Sequence, residues 1–308
     1  MPRIAFLGPP GTFGEEALLT QADLATASHV AMRSMLDVLE ATENGDVELG
    51  LVAIENSIEG PVTPVLDHLI FEADLLVQRE VVLRVSQNLI APAGTSLADV
   101  RRVISIPPAL EQCRKFFARQ LPDADLVPAN STAEAVRLLA EERPAGTAAI
   151  GTALAAKLYG LEVLAADVED HPDNSTRFVL VAREGIPAPT GHDITSIVCF
   201  QRQDKPGNLH LISAQFAARE INLTKFESRP TKKGLGDYCF VVDLDGHIAD
   251  DVVADCLRNL HAELGAVKFL GSYPAAGEHG EARRREMEVK WHAADAWIEA
   301  LRAQIHRT

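Results

Sequence analysis

Asn174-Ser175-Thr176-Arg177-Phe178-Val179-Leu180-Val181-Ala182 is the stretch where a polar loop becomes an apolar run. The run predicts a buried strand over Arg177–Ala182. A hydroxyl, a guanidinium and an aromatic ring stand side by side at its head. Arginine grips a carboxylate in a planar, two-pronged way, and threonine adds a neutral donor beside it. The triplet suits a site that holds a carboxylate and protonates a neighbouring group. By itself such a triplet is more often an ordinary strand start.

Upstream of this strand, short apolar runs alternate with amphipathic stretches. Strands are expected at Ile4–Leu7, Leu49–Ile54, Leu75–Ala91, Val103–Ile106, Ala148–Ile150 and Val163–Ala165. Helices are expected at Glu15–Ala25, Met35–Asn44, Pro61–Phe71, Pro108–Leu121, Thr132–Glu142 and Thr152–Tyr159. The alternation predicts a mostly parallel α/β arrangement. The long strand near 75–91 and the return near 165–182 are two crossings, as a two-lobed unit with a cleft requires. One lobe is assigned to about 1–76 with 166–183, the other to about 77–165.

Residues 184–193, with two prolines and two glycines in and beside them, read as a linker. Beyond it the order is strand Ile194–Phe200, helix Gly207–Glu220, strands Leu223–Ser228 and Asp237–Leu244, helix Ala249–Leu264 and strand Ala266–Leu270. That βαββαβ order predicts a ferredoxin-like unit over 194–272. A C-terminal helical extension is expected over 277–308, with Met287, Trp291, Ala294, Ile298, Leu301 and Ile305 forming an apolar seam. Arg283-Arg284-Arg285 reads as solvated charge.

Composition narrows the function. A chain of 308 residues with 47 % hydrophobic and 24 % charged residues is globular in type. The net charge of −15 opposes binding to nucleic acid or an anionic membrane. An anionic substrate must then be drawn by local cations and helix N-termini. Cys113, Cys199, Cys239 and Cys256 lack Cys-x-x-Cys spacing and read as small buried thiols. The chain opens directly into a strand, without a signal peptide or an apolar membrane span, so a cytoplasmic location is expected.

Gly8-Pro9-Pro10-Gly11-Thr12-Phe13-Gly14 joins the first strand to the first helix. Its N–H groups suit a small carboxylate or serve only a structural turn. The spacing is not a dinucleotide fingerprint, and the Gly-Lys-Ser/Thr ending of a phosphate loop is absent. Glu55-Asn56-Ser57-Ile58-Glu59-Gly60 follows another strand, with Pro61 expected as a first helical residue. Asn56 and Ser57 either cap that helix or point into the cleft. Ser105 ends a strand, Ser131-Thr132 opens a helix, and Gly151-Thr152 repeats the theme. The histidines are isolated, no metal spacing is evident, and no cofactor is expected.

Together these segments resemble the prephenate dehydratase family, from residue 3 to about 272. The resemblance rests on Gly-Pro-x-Gly-Thr-Phe at 8–13, Glu-Asn-Ser-x-x-Gly at 55–60 and Asn-Ser-Thr-Arg-Phe at 174–178. Gly-Asn-Leu at 207–209 and Glu-Ser-Arg-Pro at 227–230 resemble an ACT regulatory domain. Gly14 stands where that family often has Ser or Thr, and Ile106-Pro107-Pro108 replaces its usual His-Pro-Gln. No chorismate mutase-like segment precedes residue 3, as in the monofunctional form.

The resemblance implies a two-lobed, periplasmic-binding-protein-like catalytic domain, 1–183, followed by the ACT domain and the C-terminal helix. It implies decarboxylating dehydration of prephenate to phenylpyruvate in L-phenylalanine biosynthesis. Thr176 would assist departure of hydroxide. Arg177 and the helix N-termini would hold the pyruvyl carboxylate, and Phe178 would pack beneath the cleft or against the ring. Asn56, Ser57, Thr12, Phe13, Ser105, Ser131, Thr132 and Asn174 complete the implied substrate site. Phenylalanine, or another aromatic amino acid, would act as effector at Gly207, Asn208, Leu209, Glu227 and Ser228 of a homodimer or homotetramer. Two rivals remain at this point: an arogenate dehydratase, and a two-lobed protein that only captures a small anion.

Overall fold

A computed structural model describes residues 1–201, 205–234, 236–276 and 296–304. The chain divides into two compact units. The first comprises Met1–Asp74 with Val81–Arg183; the second comprises Leu75–Glu80 and the chain from Glu184 onward.

The first unit begins with β1 (Arg3–Leu7), α1 (Phe13–Thr20), β2 (Ser28–Met32), α2 (Met35–Asn44) and β3 (Leu49–Asn56). The two-residue β4 (Gly60–Pro61), α3 (Thr63–Phe71) and β5 (Leu76–Arg84) follow, the part of β5 up to Glu80 belonging to the second unit. The chain then builds β6 (Asn88–Ala91), β7 (Arg102–Ser105), α4 (Pro107–Gln112), α5 (Arg114–Gln120) and β8 (Asp125–Pro128). After α6 (Thr132–Glu142), β9 (Thr147–Gly151), α7 (Ala153–Leu158) and β10 (Glu162–Ala165), it returns as β11 (Ser175–Ala182).

Two sheets result, ordered β2-β1-β3-β11-β5, with β4 on β3, and β10-β6-β9-β7-β8. They are mixed, not mostly parallel as the alternation implied. β1 lies parallel to β2 and β3, and β7 to β8 and β9. β11 runs against β3, and β6 against β9 and β10. Apart from the two-residue β4, which runs against β3, the strands that oppose their neighbours are β6 and β11, which enter a lobe from the other one without a helical crossover.

Apolar side chains explain the burial. Successive strand residues face opposite sides of a sheet, so Leu89 enters the cluster with Val103 and Phe117. Ile90 enters a second cluster with Val136 and Leu139. The first lobe centres on Ile4, Phe6, Leu18, Leu51 and Phe178.

Several boundaries differ from the sequence reading. The expected strand 75–91 breaks at residues 85–87, so the lobes part there and not near residue 77. The helix expected over Pro108–Leu121 breaks at Cys113, because both Asp170 carboxylate oxygens accept from the Lys115 N–H and open a new helix. α1 ends at Thr20, short of Ala25, and Pro61 belongs to a strand; the helix starts at Thr63 instead. β2 and β8 were not anticipated, since both are short edge strands without an apolar run. Met35–Asn44 is as expected, bounded by a Ser34–Asp37 capping box and by Gly45 at φ 78°.

The second unit contains β12 (Asp193–Phe200), α8 (Asn208–Ala217), β13 (Leu223–Pro230), β14 (Tyr238–Asp245), α9 (Asp251–Glu263) and β15 (Ala266–Pro274). Its sheet, β13-β14-β12-β15, is wholly antiparallel and has the ferredoxin-like order. Ile212 and Phe216 of α8 and Val253, Cys256 and Leu260 of α9 pack on Ile197, Cys199, Val242 and Leu244, so both helices cover one face. Gly271 is needed where β15 meets residue 77: a Cβ there would lie 2.6 Å from the Val77 carbonyl oxygen.

Residues 296–302 are helical, with Ile298 and Leu301 exposed. Met287, Trp291, Ala294, Ile305 and Arg283–Arg285 lie outside the described residues.

Candidate active site

The end of β3 and the start of β11 face each other in antiparallel register, with Thr176 opposite Asn56 and Arg177 opposite Glu55. Directly opposed residues share a sheet face, which brings Asn56 to Thr176. The Asn56 Nδ2 donates to Thr176 Oγ1 at 3.0 Å, to Asn174 Oδ1 at 2.9 Å and to the Ser175 carbonyl at 3.3 Å. Its Oδ1 accepts from the N–H groups of Ile58 and Glu59, both at 3.0 Å. Those backbone donors fix which end of the amide is oxygen. Thr176 Oγ1 therefore accepts from Asn56, and its own proton is directed elsewhere.

Asn174 is 1 % exposed and closes the cluster. Its Oδ1 also accepts from Ser57 Oγ at 3.2 Å, and Ser57 Oγ accepts from the Ser175 N–H at 3.0 Å. Asn56 and Ser57 thus brace the β3 turn instead of capping a helix. Asn174 Nδ2 donates to Gln112 Oε1 at 3.2 Å, and Gln112 Nε2 donates to Glu59 Oε1 at 3.1 Å. A ring of hydrogen bonds therefore joins the two lobes beside Thr176.

Arg177 NH1 lies 3.7 Å from Glu55 Oε2, with the guanidinium largely buried. A β-bulge between Arg177 and Phe178 turns the next side chain inward. Phe178 accordingly lies in the core of the first lobe.

The other expected residues serve their own lobes. Thr12 caps α1, donating to the Leu7 carbonyl at 2.8 Å and accepting from the Glu15 N–H at 3.4 Å. The Gly11 N–H donates to the Glu15 carboxylate at 2.6 Å, so an internal carboxylate sits where a bound one was expected. Phe13 packs on the first-lobe core. A Cβ at Gly14 would make only ordinary contacts, 3.7 Å from Thr12 Oγ1 and 3.9 Å from Phe178, so this departure leaves room for a side chain. Ser105 is fully buried and donates to the Ile150 carbonyl at 2.9 Å. Ser131 caps α6 through the Glu134 N–H, and Thr132 is buried in its first turn. Pro107 and Pro108 open α4, which ends at Gln112.

Sequence reasoning missed Gln112 and gave no role to Glu59. Nothing in the spacing marks Gln112. It becomes significant only because the Asp170 N–H reaches the Gln112 carbonyl at 2.6 Å and brings α4 to the 170–174 turn.

All four cysteines are free and buried. Burial, reinforced by the Asp170 and Glu169 charges, pushes the Cys113 thiol far above its ordinary range, which disfavours a thiolate nucleophile beside the site. Burial, then Cys256 and Cys239, pushes Cys199 up to about 12. The unfolded chain gives up that proton near the ordinary 9.0, before the folded chain does, so stability drains as pH rises from 9.0 towards about 12. Cys199→Ala should flatten this alkaline loss by about 1 kcal/mol per pH unit in denaturant titrations. An unchanged slope would contradict the assignment.

In the second unit Gly207 sits at φ 93° at the start of α8. A Cβ there would meet nothing within 4 Å, so the backbone conformation alone calls for glycine. Asn208 Nδ2 donates to Gln201 Oε1 at 2.6 Å, and Leu209 is exposed. A cavity of about 560 Å³ opens beside this turn, lined by Gln201, Lys205, Asn208, Gln215, Asn259 and Glu263 among others. Glu227 and Ser228 lie on the edge strand β13. Ser228 pairs with the core residue Phe240 and shares its face; Glu227 faces the other way, between Lys225 and Arg229 at 3.4 and 3.3 Å. Among the described residues no helix is long and apolar enough to cross a membrane.

The chain thus combines a two-lobed α/β unit, with a polar hydrogen-bond ring between its lobes, and a ferredoxin-like unit. Residues 4–186 match the family model described as prephenate dehydratase, and the chain belongs to that family. The prephenate dehydratase of Mycolicibacterium vanbaalenii is 44 % identical over 98 % of this chain and 99 % of its own. A crystal structure of prephenate dehydratase from Arthrobacter aurescens in complex with L-Phe is 39 % identical, with a TM-score of 0.85 over 97 % of this chain and 99 % of that one. The structure of GqqA, described as a novel type of quorum quenching acylase, is 30 % identical, with a TM-score of 0.80 over 89 % and 98 % of the two chains.

Proposed function

We propose that this protein is a carbon–oxygen lyase that converts prephenate to phenylpyruvate, releasing carbon dioxide and water on the way to L-phenylalanine. A shared fold is compatible with several activities, so the reading rests on one observation in the site. Asn56 donates to Thr176, leaving the threonine proton for a ligand. As the ring carboxylate leaves as carbon dioxide, its bonding electrons enter the ring and expel the ring hydroxyl. Aromatisation drives the step, so orientation and a hydrogen bond to the departing oxygen suffice. Thr176 supplies that bond. Arg177 holds the side-chain carboxylate in a periplasmic-binding-protein-like cleft. The ring carboxylate faces a drier region, which favours its loss.

Arg177→Lys tests the two-pronged contact. Charge survives but the planar fork does not, so KM should rise about tenfold or more while kcat falls less. If lysine is silent and only Arg177→Ala is impaired, charge alone matters.

The ferredoxin-like unit serves as an ACT regulatory domain that senses phenylalanine. The relative described as bound to L-Phe supports this reading, as does the glycine-initiated α8 turn beside a polar cavity. The Asn208 N–H already donates to the Lys205 carbonyl at 3.2 Å, so the Leu209 N–H and the positive end of α8 would take the effector's carboxylate. Glu227 and Ser228 of a neighbouring subunit would form the other wall, so the active form is a homodimer or homotetramer, and the enzyme works in the cytoplasm. Gly207→Val should raise the phenylalanine concentration for half-inhibition about tenfold or more while kcat holds, within the usual range of allosteric coupling. An unchanged inhibition curve would refute this site.

Arogenate differs from prephenate only in bearing an amino acid side chain. Comparing kcat/KM for the two substrates, by phenylpyruvate absorbance and by phenylalanine chromatography, decides between them; prephenate should be preferred.

A further inference from the structure

The two crossings between the lobes run side by side and are tied by more than a strand ladder. The Val85 N–H donates to the Asn174 carbonyl and the Val168 N–H to the Gln87 carbonyl, each at 2.8 Å. Between these bonds the Gln87 N–H donates to a side chain, Glu169 Oε2, at 2.9 Å. The Glu169 side chain is only 2 % exposed. Its Oε1 accepts from Arg84 NH2 at 3.3 Å, and Arg84 Nε donates to the Pro172 carbonyl at 2.8 Å. One buried carboxylate and one guanidinium thus fasten residues 84–87 to residues 169–172.

The neighbouring carboxylate pulls the other way. Asp170 accepts from the Lys115 N–H at the start of α5, and its own N–H donates to the Gln112 carbonyl. Glu169 therefore anchors the return crossing to the first lobe, while Asp170 anchors it to the helix pair that carries Gln112. Asn174 lies a few residues on, with its amide bridging Gln112 to Asn56, and Asn56 orienting Thr176. Burying a carboxylate is costly, and such pairs add little to stability compared with an apolar replacement. A role in positioning explains why a charge occupies this place.

We propose that Glu169 is a positioning residue for the dehydration: by holding the return crossing against Arg84 and the Gln87 N–H, it sets Asn174 between Gln112 and Asn56 and so keeps the Thr176 proton aimed at the substrate. The proposal rests on the reading of Thr176 as donor. It is tested by measuring kcat, KM and thermal midpoint for Glu169→Ala and Glu169→Gln, each alone and combined with Asn174→Ala. Glu169→Ala should lower kcat about 10–100-fold with KM within about threefold, as expected when only transition-state contacts suffer. Glu169→Gln keeps an acceptor for Gln87 but loses the Arg84 charge pairing, so a loss of about 3–10-fold is expected. In the Asn174→Ala background either change should add less than about threefold, because both act through one group.

A folded Glu169→Ala with wild-type kcat overturns the proposal, and so does an undiminished effect in the Asn174→Ala background. If the alanine variant fails to fold, Glu169→Gln carries the same two tests. Asn174→Ala with unchanged kcat would likewise overturn the proposal, whereas the donor reading itself falls only if Thr176→Ala keeps near-normal kcat, which separates the two failures.

Discussion

Thr176→Ala is expected to lower kcat by about 10²–10⁴ with little change in KM. The hydroxyl accepts from Asn56 at 3.0 Å, so under the proposed reaction its own proton would serve the leaving oxygen. Removing it withdraws a contact that strengthens only as charge builds on that oxygen, so the loss falls on kcat. Thr176→Ser keeps the donor and the Asn56 contact and should keep most activity. The side chain is partly exposed and outside the core clusters, so the alanine variant should fold normally. Near-normal kcat in that variant would rule out the donor role.

Changing Asn56 is expected to be almost as damaging, and the choice of substitute is informative. Its amide donates to Thr176, Asn174 and Ser175 while accepting from the N–H groups of Ile58 and Glu59. Alanine strips the turn of an acceptor for two backbone donors, at roughly 1–3 kcal/mol of stability, and frees the threonine hydroxyl to rotate. A kcat loss of about 10–10³-fold should follow. Asn56→Asp is nearly isosteric and still accepts from the turn, but it offers Thr176 an acceptor in place of a donor. The hydroxyl then donates inward, away from the substrate. Aspartate should therefore impair kcat at least as much as alanine while disturbing the fold less. An aspartate variant with wild-type kcat would show that the direction of this hydrogen bond is irrelevant.

Much of the architecture was legible in sequence for local reasons. The βαββαβ order of the second unit follows from apolar runs punctuated by glycine and polar turns, and α2 was bounded correctly because both its caps are written in adjacent residues. Residues set by distant partners were not legible. The split of 107–120 into two helices depends on Asp170, more than fifty residues away in sequence. The break at 85–87 depends on crossings that meet only in three dimensions. The same limit applies at the site. Asn56, Ser57, Asn174 and Thr176 were named from two strand ends and do meet there. Gln112 completes the ring yet is marked only by the fold. Thr12, Ser105 and Ser131 look like ligand groups in sequence because hydroxyls that cap helices, as Thr12 and Ser131 do, or tie adjacent strands, as Ser105 does, occupy the same strand and helix ends as those that bind ligands.

The account is tested most directly by giving the purified protein prephenate and following carbon dioxide release and phenylpyruvate absorbance in the same reaction. Equal rates of the two products are predicted, with both lowered together by about 10²–10⁴ in Thr176→Ala and both suppressed by added phenylalanine. Tight binding of prephenate without formation of either product would contradict it and would restore the reading of a protein that only captures a small anion.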